Sequence, residues 1–174
     1  MNDEILDLVD ENDNVIGPIS RDAAWASKAR IRVVNAFVVN AQGQLWIPRR
    51  TAHKQMFPNC LDMGVGGHVQ SGESYLQAFR RETQEELNIN LDRVPWREVA
   101  YFSPLETTLS AFMRVFEIQL ERTPSFNPDD FSESFWLTPQ EAKQKIRSGN
   151  PSKGDLLELL ERLYPIQAPP SPSP

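Results

Sequence analysis

Gly67-His68-Val69-Gln70-Ser71-Gly72-Glu73 runs into a stretch that ends Arg81-Glu82-Thr83-Gln84-Glu85-Glu86-Leu87. Its first part is polar and glycine-rich, and its second has a helical period. Wound as a helix over 73–87 at about 100° per residue, Leu76, Phe79, Thr83 and Leu87 form one stripe that can face a core. Glu82, Glu85 and Glu86 then share an arc beside that stripe. Like charges at this spacing destabilise an isolated helix by a few tenths of a kcal/mol per pair, and partial burial raises the cost. A hard divalent cation such as Mg²⁺ or Mn²⁺ reverses the problem, because it takes oxygen ligands and clustered glutamates supply them. For a charge run alone, a solvated acidic face would be the simpler reading. The glycine-rich entry and the interleaved Arg81 argue for a built site.

Outward from this segment, the chain reads as a single α/β unit. It has 174 residues, 40% of them hydrophobic, which suits one buried core and is short for two ordinary domains. A single domain is expected over 1–164. Leu6 and Leu8 alternate with Asp7, and Val15-Ile16 follows the polar run 11–14, as two short strands around a turn would. Val33-Val34-Asn35-Ala36-Phe37-Val38-Val39 is a strand by its β-branched content, and 40–43 connects it to Leu45-Trp46-Ile47. Pro48 is expected to close that strand. Further strands are expected at Val99–Phe102, Ala111–Leu120 and Phe135-Trp136-Leu137. In the second of these the faces are mixed: Arg114 sits among apolar residues on one side, and Glu117 on the other. Helices are expected at 138–147, where Thr138-Pro139-Gln140-Glu141 supplies a cap, and at 153–163. The proline-rich tail 165–174 is expected to be extended or disordered.

Charge and composition exclude several classes. A net charge of −6 gives no support for nucleic-acid or membrane-surface binding. No apolar stretch is long enough to span a bilayer. The first residues lack the basic start and apolar run of a signal peptide. Cys60 is the one cysteine, so no internal disulfide forms, and a reducing, cytoplasmic setting is expected.

The central segment resembles the signature of the Nudix hydrolases. That signature is a glycine, five residues, Glu, seven residues, then Arg-Glu-apolar-any-Glu-Glu-any-Gly-apolar. Gly67, Glu73, Arg81, Glu82, Glu85, Glu86 and Ile89 stand in that spacing. Thr83 replaces an aliphatic residue, and its methyl can still face the core. Asn88 replaces a glycine that would end the helix in a left-handed turn, a conformation that asparagine accepts next best. The hairpins before the segment and Asp129-Asp130-Phe131-Ser132-Glu133-Ser134-Phe135-Trp136 after it are also Nudix-like.

The resemblance implies a mixed β-sheet in an α/β/α sandwich and a metal-dependent hydrolase that splits a diphosphate linkage. It implies Glu82, Glu85, Glu86 and the Gly67 carbonyl as ligands of Mg²⁺ or Mn²⁺, and Glu73 with Arg81 as an ion pair holding the loop on the helix. The metal would bridge the diphosphate and acidify an attacking water. The base for that water is left open between Glu85 and an acid of the later loop, among Asp129, Asp130 and Glu133; Asp130 falls where many relatives carry an acid. Arg49 and Arg50 end a strand near the site and are candidates to hold phosphates. They read equally well as a solvated strand end, as do His53 and Lys54. Such proteins are often dimers, so a homodimer is one expected assembly.

A competing resemblance runs to type I isopentenyl diphosphate isomerases. It rests on Val9-Asp10-Glu11-Asn12-Asp13-Asn14-Val15-Ile16-Gly17, Arg21, Arg49-Arg50-Thr51, Phe57-Pro58 and Gly67-His68. Isomerase chemistry needs a cysteine acid beside the signature and a histidine-rich metal site. The cysteine position falls on Gly66, Cys60 lies earlier, residues 21–35 hold no histidine, and only Glu106 stands at 105–115. A binding module without catalysis is a third reading, and its mark would be the loss of Glu82, Glu85 or Glu86. All three are present.

Overall fold

A computed structural model describes residues 4–165. In chain order the elements begin with β1 (Ile5–Val9), β2 (Val15–Ser20), α1 (Arg21–Ser27), β3 (Arg32–Val39), β4 (Leu45–Arg50) and β5 (Val65–His68). There follow α2 (Tyr75–Leu87), a 3-10 turn (Leu91–Arg93), β6 (Trp96–Phe102), β7 (Phe112–Gln119), β8 (Phe131–Leu137), α3 (Pro139–Arg147) and α4 (Leu156–Leu163). All but the first residue of the expected tail 165–174 lies outside the described residues.

The sheet is built around β3, whose apolar run suits a strand covered on both faces. It pairs in parallel with β7 along its whole length. On its other side it is antiparallel to β5 through Val33–Ala36 and to β4 through Val38 and Val39. The order is β6-β7-β3-β4-β8, with β5 off that path and β1-β2 a separate hairpin.

Alternation along the strands divides the core in two. Val34, Ala36 and Val38 join Phe116 and Ile118 under Ala78, Phe79 and Leu87 of α2; Phe79 stacks on Phe116 with ring centres 4.0 Å apart. Phe37, Met113 and Val115 face the opposite way, against Ala142 of α3 and Leu156, Leu159 and Leu160 of α4. The result is the α/β/α sandwich with a mixed sheet. The mixed pattern of β7 has a local cause. Glu117, buried on the α4 side, accepts from Arg97 at 2.6 Å and from the Tyr164 hydroxyl at 2.7 Å. Among the described residues no helix is long and apolar enough to cross a membrane.

Three expectations are corrected. β4 continues through Pro48 to Arg50. Pro48 aims its missing donor at the segment 60–62 rather than at β8, and its carbonyl accepts the Asp62 amide at 2.9 Å. Leu76 is exposed, because the buried face of α2 is Ala78, Phe79, Glu82, Thr83, Glu86 and Leu87. Two of the three glutamates therefore lie within the buried face rather than beside it. Finally, α1 and β5 were not anticipated. α1 is a seven-residue helix, too short for its period to stand out. β5 reads Val-Gly-Gly-His, and glycines carry no strand preference.

The N-terminal hairpin is tied to the sandwich at several places. Leu6 and Ala24 pack with Ile31 and Ala111. In its turn, Asp13 accepts from Arg32 at 2.6 Å and from the hydroxyls of Tyr75 and Tyr101 at 2.9 and 3.0 Å.

Candidate active site

α2 begins at a capping box between Ser74 and Gln77 and ends at Asn88, whose backbone is left-handed at φ 54°. The Asn88 amide donates to the Gln84 carbonyl and that of Ile89 to the Thr83 carbonyl, at 3.1 and 3.4 Å. These bonds close the helix end in the conformation expected of asparagine at this position. The helix lies against β5, and this packing brings the glutamates onto glycine backbone. A Cβ on Gly67 would stand 1.9 Å from Glu82 Oε1, so the carboxylate occupies the space a side chain would take. The Gly66 amide donates to Glu86 Oε2 at 3.0 Å.

Glu82 and Glu86 are each 9% exposed, whereas the Glu85 side chain is more than half exposed. Burial pushes the Glu86 carboxyl well above the usual carboxylate range; the charges of Glu82 and Asp62 push the same way, against the Gly66 amide and Lys153. Burial also raises Glu82, and Arg81 partly offsets it. Desolvated carboxylates beside backbone are costly for a fold without a counterion.

Arg81 is the cation bonded to Glu82, and it is fully engaged. It holds Glu73 through two bonds of 2.8 and 2.9 Å, the His68 carbonyl at 3.0 Å and Glu82 Oε1 at 2.7 Å. The Gln70 amide closes the loop on Glu73 at 3.0 Å. Bidentate pairing of this kind fixes geometry as well as charge, and it joins the loop 69–73 to the middle of α2. Among the described residues no three Asp, Glu, His or Cys side chains converge at metal-ligand spacing. Glu82 turns toward Arg81 and Glu86 toward Gly66. The donor set nevertheless fits a hard divalent cation: it is all oxygen, two of its three carboxylates are buried, and the cleft is lined by more acidic side chains than arginines and lysines.

These groups open onto a cleft of about 600 Å³, lined by Glu82, Glu85, Glu86, Arg50, Lys54 and Asp130 among others. Arg50 donates to Asp62 Oδ2 at 2.8 Å and to the Met56 carbonyl at 3.2 Å. Lys54 pairs with Asp130. Arg49, the neighbour of Arg50 in β4, points elsewhere, as alternation requires. It is absorbed by Glu133 at 2.5 Å, the Asn59 carbonyl at 2.9 Å and Asn150 at 3.1 Å. Of the two arginines proposed for phosphate, only Arg50 faces the cleft. In the later loop, Asp130 faces it; Glu133 is spent on Arg49, and Asp129 gives its carbonyl to the Thr51 hydroxyl.

Sequence reasoning missed Asp62, Lys153, Glu4 and the place of Arg21. Asp62 is 2% exposed and lies between Arg50 and Lys153, whose ammonium is 3.6 Å from it. Nothing around Asp62 in the sequence signals this. Glu4 accepts from the Gln70 side chain at 3.2 Å and meets His68 at 3.2 Å, so the N-terminal hairpin contributes to the cleft wall.

The family model of the NUDIX domain matches residues 29–160. A Nudix hydrolase of Deinococcus radiodurans is 54% identical over 164 residues, covering 94% of this chain and 96% of that protein. An uncharacterized Nudix hydrolase of Nostoc is 49% identical over 162 residues, covering 92% and 96%. Among solved structures, the crystal structure of DR0079 from Deinococcus radiodurans superposes with a TM-score of 0.88 at 53% identity, covering 92% of this chain and 99% of that one. The Escherichia coli dihydroneopterin triphosphate pyrophosphohydrolase, at 18% identity and a TM-score of 0.53 over 75% of this chain and 92% of that one, shares the fold.

Proposed function

The chain belongs to the Nudix hydrolase family, and on that footing we propose that it cleaves the diphosphate linkage of a nucleotide-like or other organic diphosphate. The observation that carries this reading is the pair Glu82 and Glu86, buried on the Gly66-Gly67 backbone at a cleft that also holds Arg50 and Lys54. Glu82, Glu85, Glu86 and the Gly67 carbonyl would hold Mg²⁺ or Mn²⁺. When bound, the metal neutralises charge that develops on the phosphates and lowers the pKa of water.

The chain's own residues supply the rest. Arg50, anchored by Asp62, is set to hold a phosphate oxygen. Glu73 and Arg81 keep the loop and α2 in register, so that Glu82 stays on Gly67. Asp130 is assigned the proton of the attacking water. Its carboxylate comes from a loop outside α2, faces the same cleft and is partly shielded. Glu85 is the second candidate, and its greater exposure leaves it in competition with bulk water. The same reading treats 1–164 as one domain working in the cytoplasm.

Two observations speak against isomerase chemistry. The position aligned with the isomerase acid is Gly66, which has no side chain to supply the proton, and a Cβ there would come within 2.7 Å of Lys153 Nζ and 2.8 Å of Asn35 Oδ1, both of which would have to move. Cys60 is buried, and burial raises its thiol, which suits a packed side chain. The test is a panel of nucleoside triphosphates, sugar nucleotides, dinucleotides and prenyl diphosphates incubated with Mg²⁺, with products followed by phosphorus NMR. Cleavage of at least one member is expected. Interconversion of isopentenyl and dimethylallyl diphosphates without cleavage of any member would overturn the reading.

A further inference from the structure

We propose that Lys54 masks Asp130 in the free enzyme and releases it by moving to the substrate's phosphates, so that the base is freed only when a diphosphate is in place. This rests on the assignment of Asp130 above and adds a residue and a sequence of events to it.

The two side chains come from different loops. Lys54 lies in the segment after β4, and Asp130 just before β8. The backbones beneath them are fastened together: the Thr51 amide donates to the Asp130 carbonyl at 3.1 Å, and the Thr51 hydroxyl to the Asp129 carbonyl at 2.9 Å. Asp130 is further held by its own amide on the Asn127 carbonyl at 3.0 Å. The carboxylate therefore sits on a fixed base, while lysine reaches it on a four-carbon stem with three rotatable donors. Among the described residues, their ion pair is the one side-chain hydrogen bond or salt bridge either of them makes. The other cations of the cleft are differently placed. Arg81 is spent on Glu73 and Glu82, and Arg50 on Asp62 and the Met56 carbonyl. Arg21 stands 3.8 Å from Glu4 and 3.9 Å from Asp22, and pairs with these rather than with Asp130. Lys54 is thus the cation paired with Asp130, and it can change partners at the cost of that single contact.

A diphosphate carries more negative charge than one carboxylate and enters the cleft both groups line, so it competes for the ammonium with an advantage that shielding from water enlarges. Once Lys54 has moved, the Asp130 oxygens are free to accept. The water O–H bond breaks and its proton passes to the Asp130 carboxylate. The water oxygen bonds to one phosphorus, and the bridging P–O bond breaks with its electron pair leaving on the other phosphate. Before substrate arrives, the Lys54 ammonium occupies the Asp130 carboxylate.

A carbodiimide joins an amine to a carboxylate in direct contact, and the Lys54–Asp130 amide can be identified by peptide mass spectrometry. The full chain is treated with and without methylene diphosphonate and Mg²⁺, and binding of the diphosphonate is measured separately by calorimetry. The cross-link is expected in the free protein, and at least a fivefold lower yield is expected at saturating diphosphonate. In parallel, Lys54→Met should raise KM roughly tenfold, about 1.4 kcal/mol of binding, and leave kcat within about threefold. No cross-link in the free protein, an undiminished cross-link with diphosphonate bound, or an unchanged KM in Lys54→Met would each overturn the exchange. Failure of diphosphonate to bind would overturn the proposed function as well, which separates the two.

Discussion

Replacing Glu86 by glutamine keeps the shape of the side chain and removes a charge that burial makes expensive. Its carboxyl is held above the ordinary value of 4.5 by desolvation first and by Glu82 and Asp62 next. A carboxyl raised in the folded state binds more protons folded than unfolded. Its favourable contribution is fully present below about 4.5 and is lost as pH rises through the folded value. Metal-free wild type should therefore lose stability from mild acid toward neutrality, and Glu86→Gln should flatten that slope and melt higher at pH 7. Thermal melts in chelator across this range check it. The same variant should lose at least a hundredfold in kcat, roughly 3 kcal/mol of transition-state stabilisation, if Glu86 is a ligand of the proposed cation. Thr83 gives a second test free of charge effects. Among the described residues its hydroxyl is buried without a hydrogen-bond partner, where an isosteric methyl would cost nothing. Thr83→Val should raise stability by about 1 kcal/mol, read by denaturant unfolding, with activity kept.

At the scale of elements, β5 and α2 form one device in which glycine backbone receives glutamate side chains. Gly67→Ala tests it. The new methyl would collide with the Glu82 carboxylate, and the flexible glutamate tip would give way rather than the sheet. The protein should stay folded and bind Mn²⁺ at least tenfold more weakly, about 1.4 kcal/mol, as electron paramagnetic resonance would report. Unchanged Mn²⁺ affinity would show that Glu82 does not serve from this position. How far these elements could be read in advance follows from their sequences. The strands at β3 and β7 and the helices α2 and α3 carry long periods or paired caps, and they were legible. β5 was not, because Val-Gly-Gly-His is shaped by what must fit against it, not by strand preference. Leu76 misled because three apolar residues and Thr83 at helical spacing outweighed carboxylates that a metal site would bury. Pro48 misled because the rule concerns which side of the strand lacks a partner, and that side depends on the segment 60–62. Arg49 and Arg50 could not be separated until strand alternation sent one to Glu133 and the other to the cleft. Asp62 and Lys153 reach the site only through tertiary contacts that no local pattern announces.

The whole molecule is an acidic sandwich with two buried glutamates, Glu82 and Glu86, at one cleft, and the central claim is that water cleaves a diphosphate there with the help of a divalent metal that these residues would hold. Cys60 lies outside this machinery, so Cys60→Ala should leave hydrolysis almost unchanged and cost about 1 kcal/mol of stability. The most direct measurement of the central claim is phosphorus NMR of the best substrate from the panel in ¹⁸O-enriched water, with Mg²⁺, with excess EDTA, and with Mg²⁺ restored. The expected result is cleavage that places ¹⁸O on one phosphate product, stops in EDTA and returns with the metal. Full turnover in EDTA, or products carrying no ¹⁸O, would contradict it.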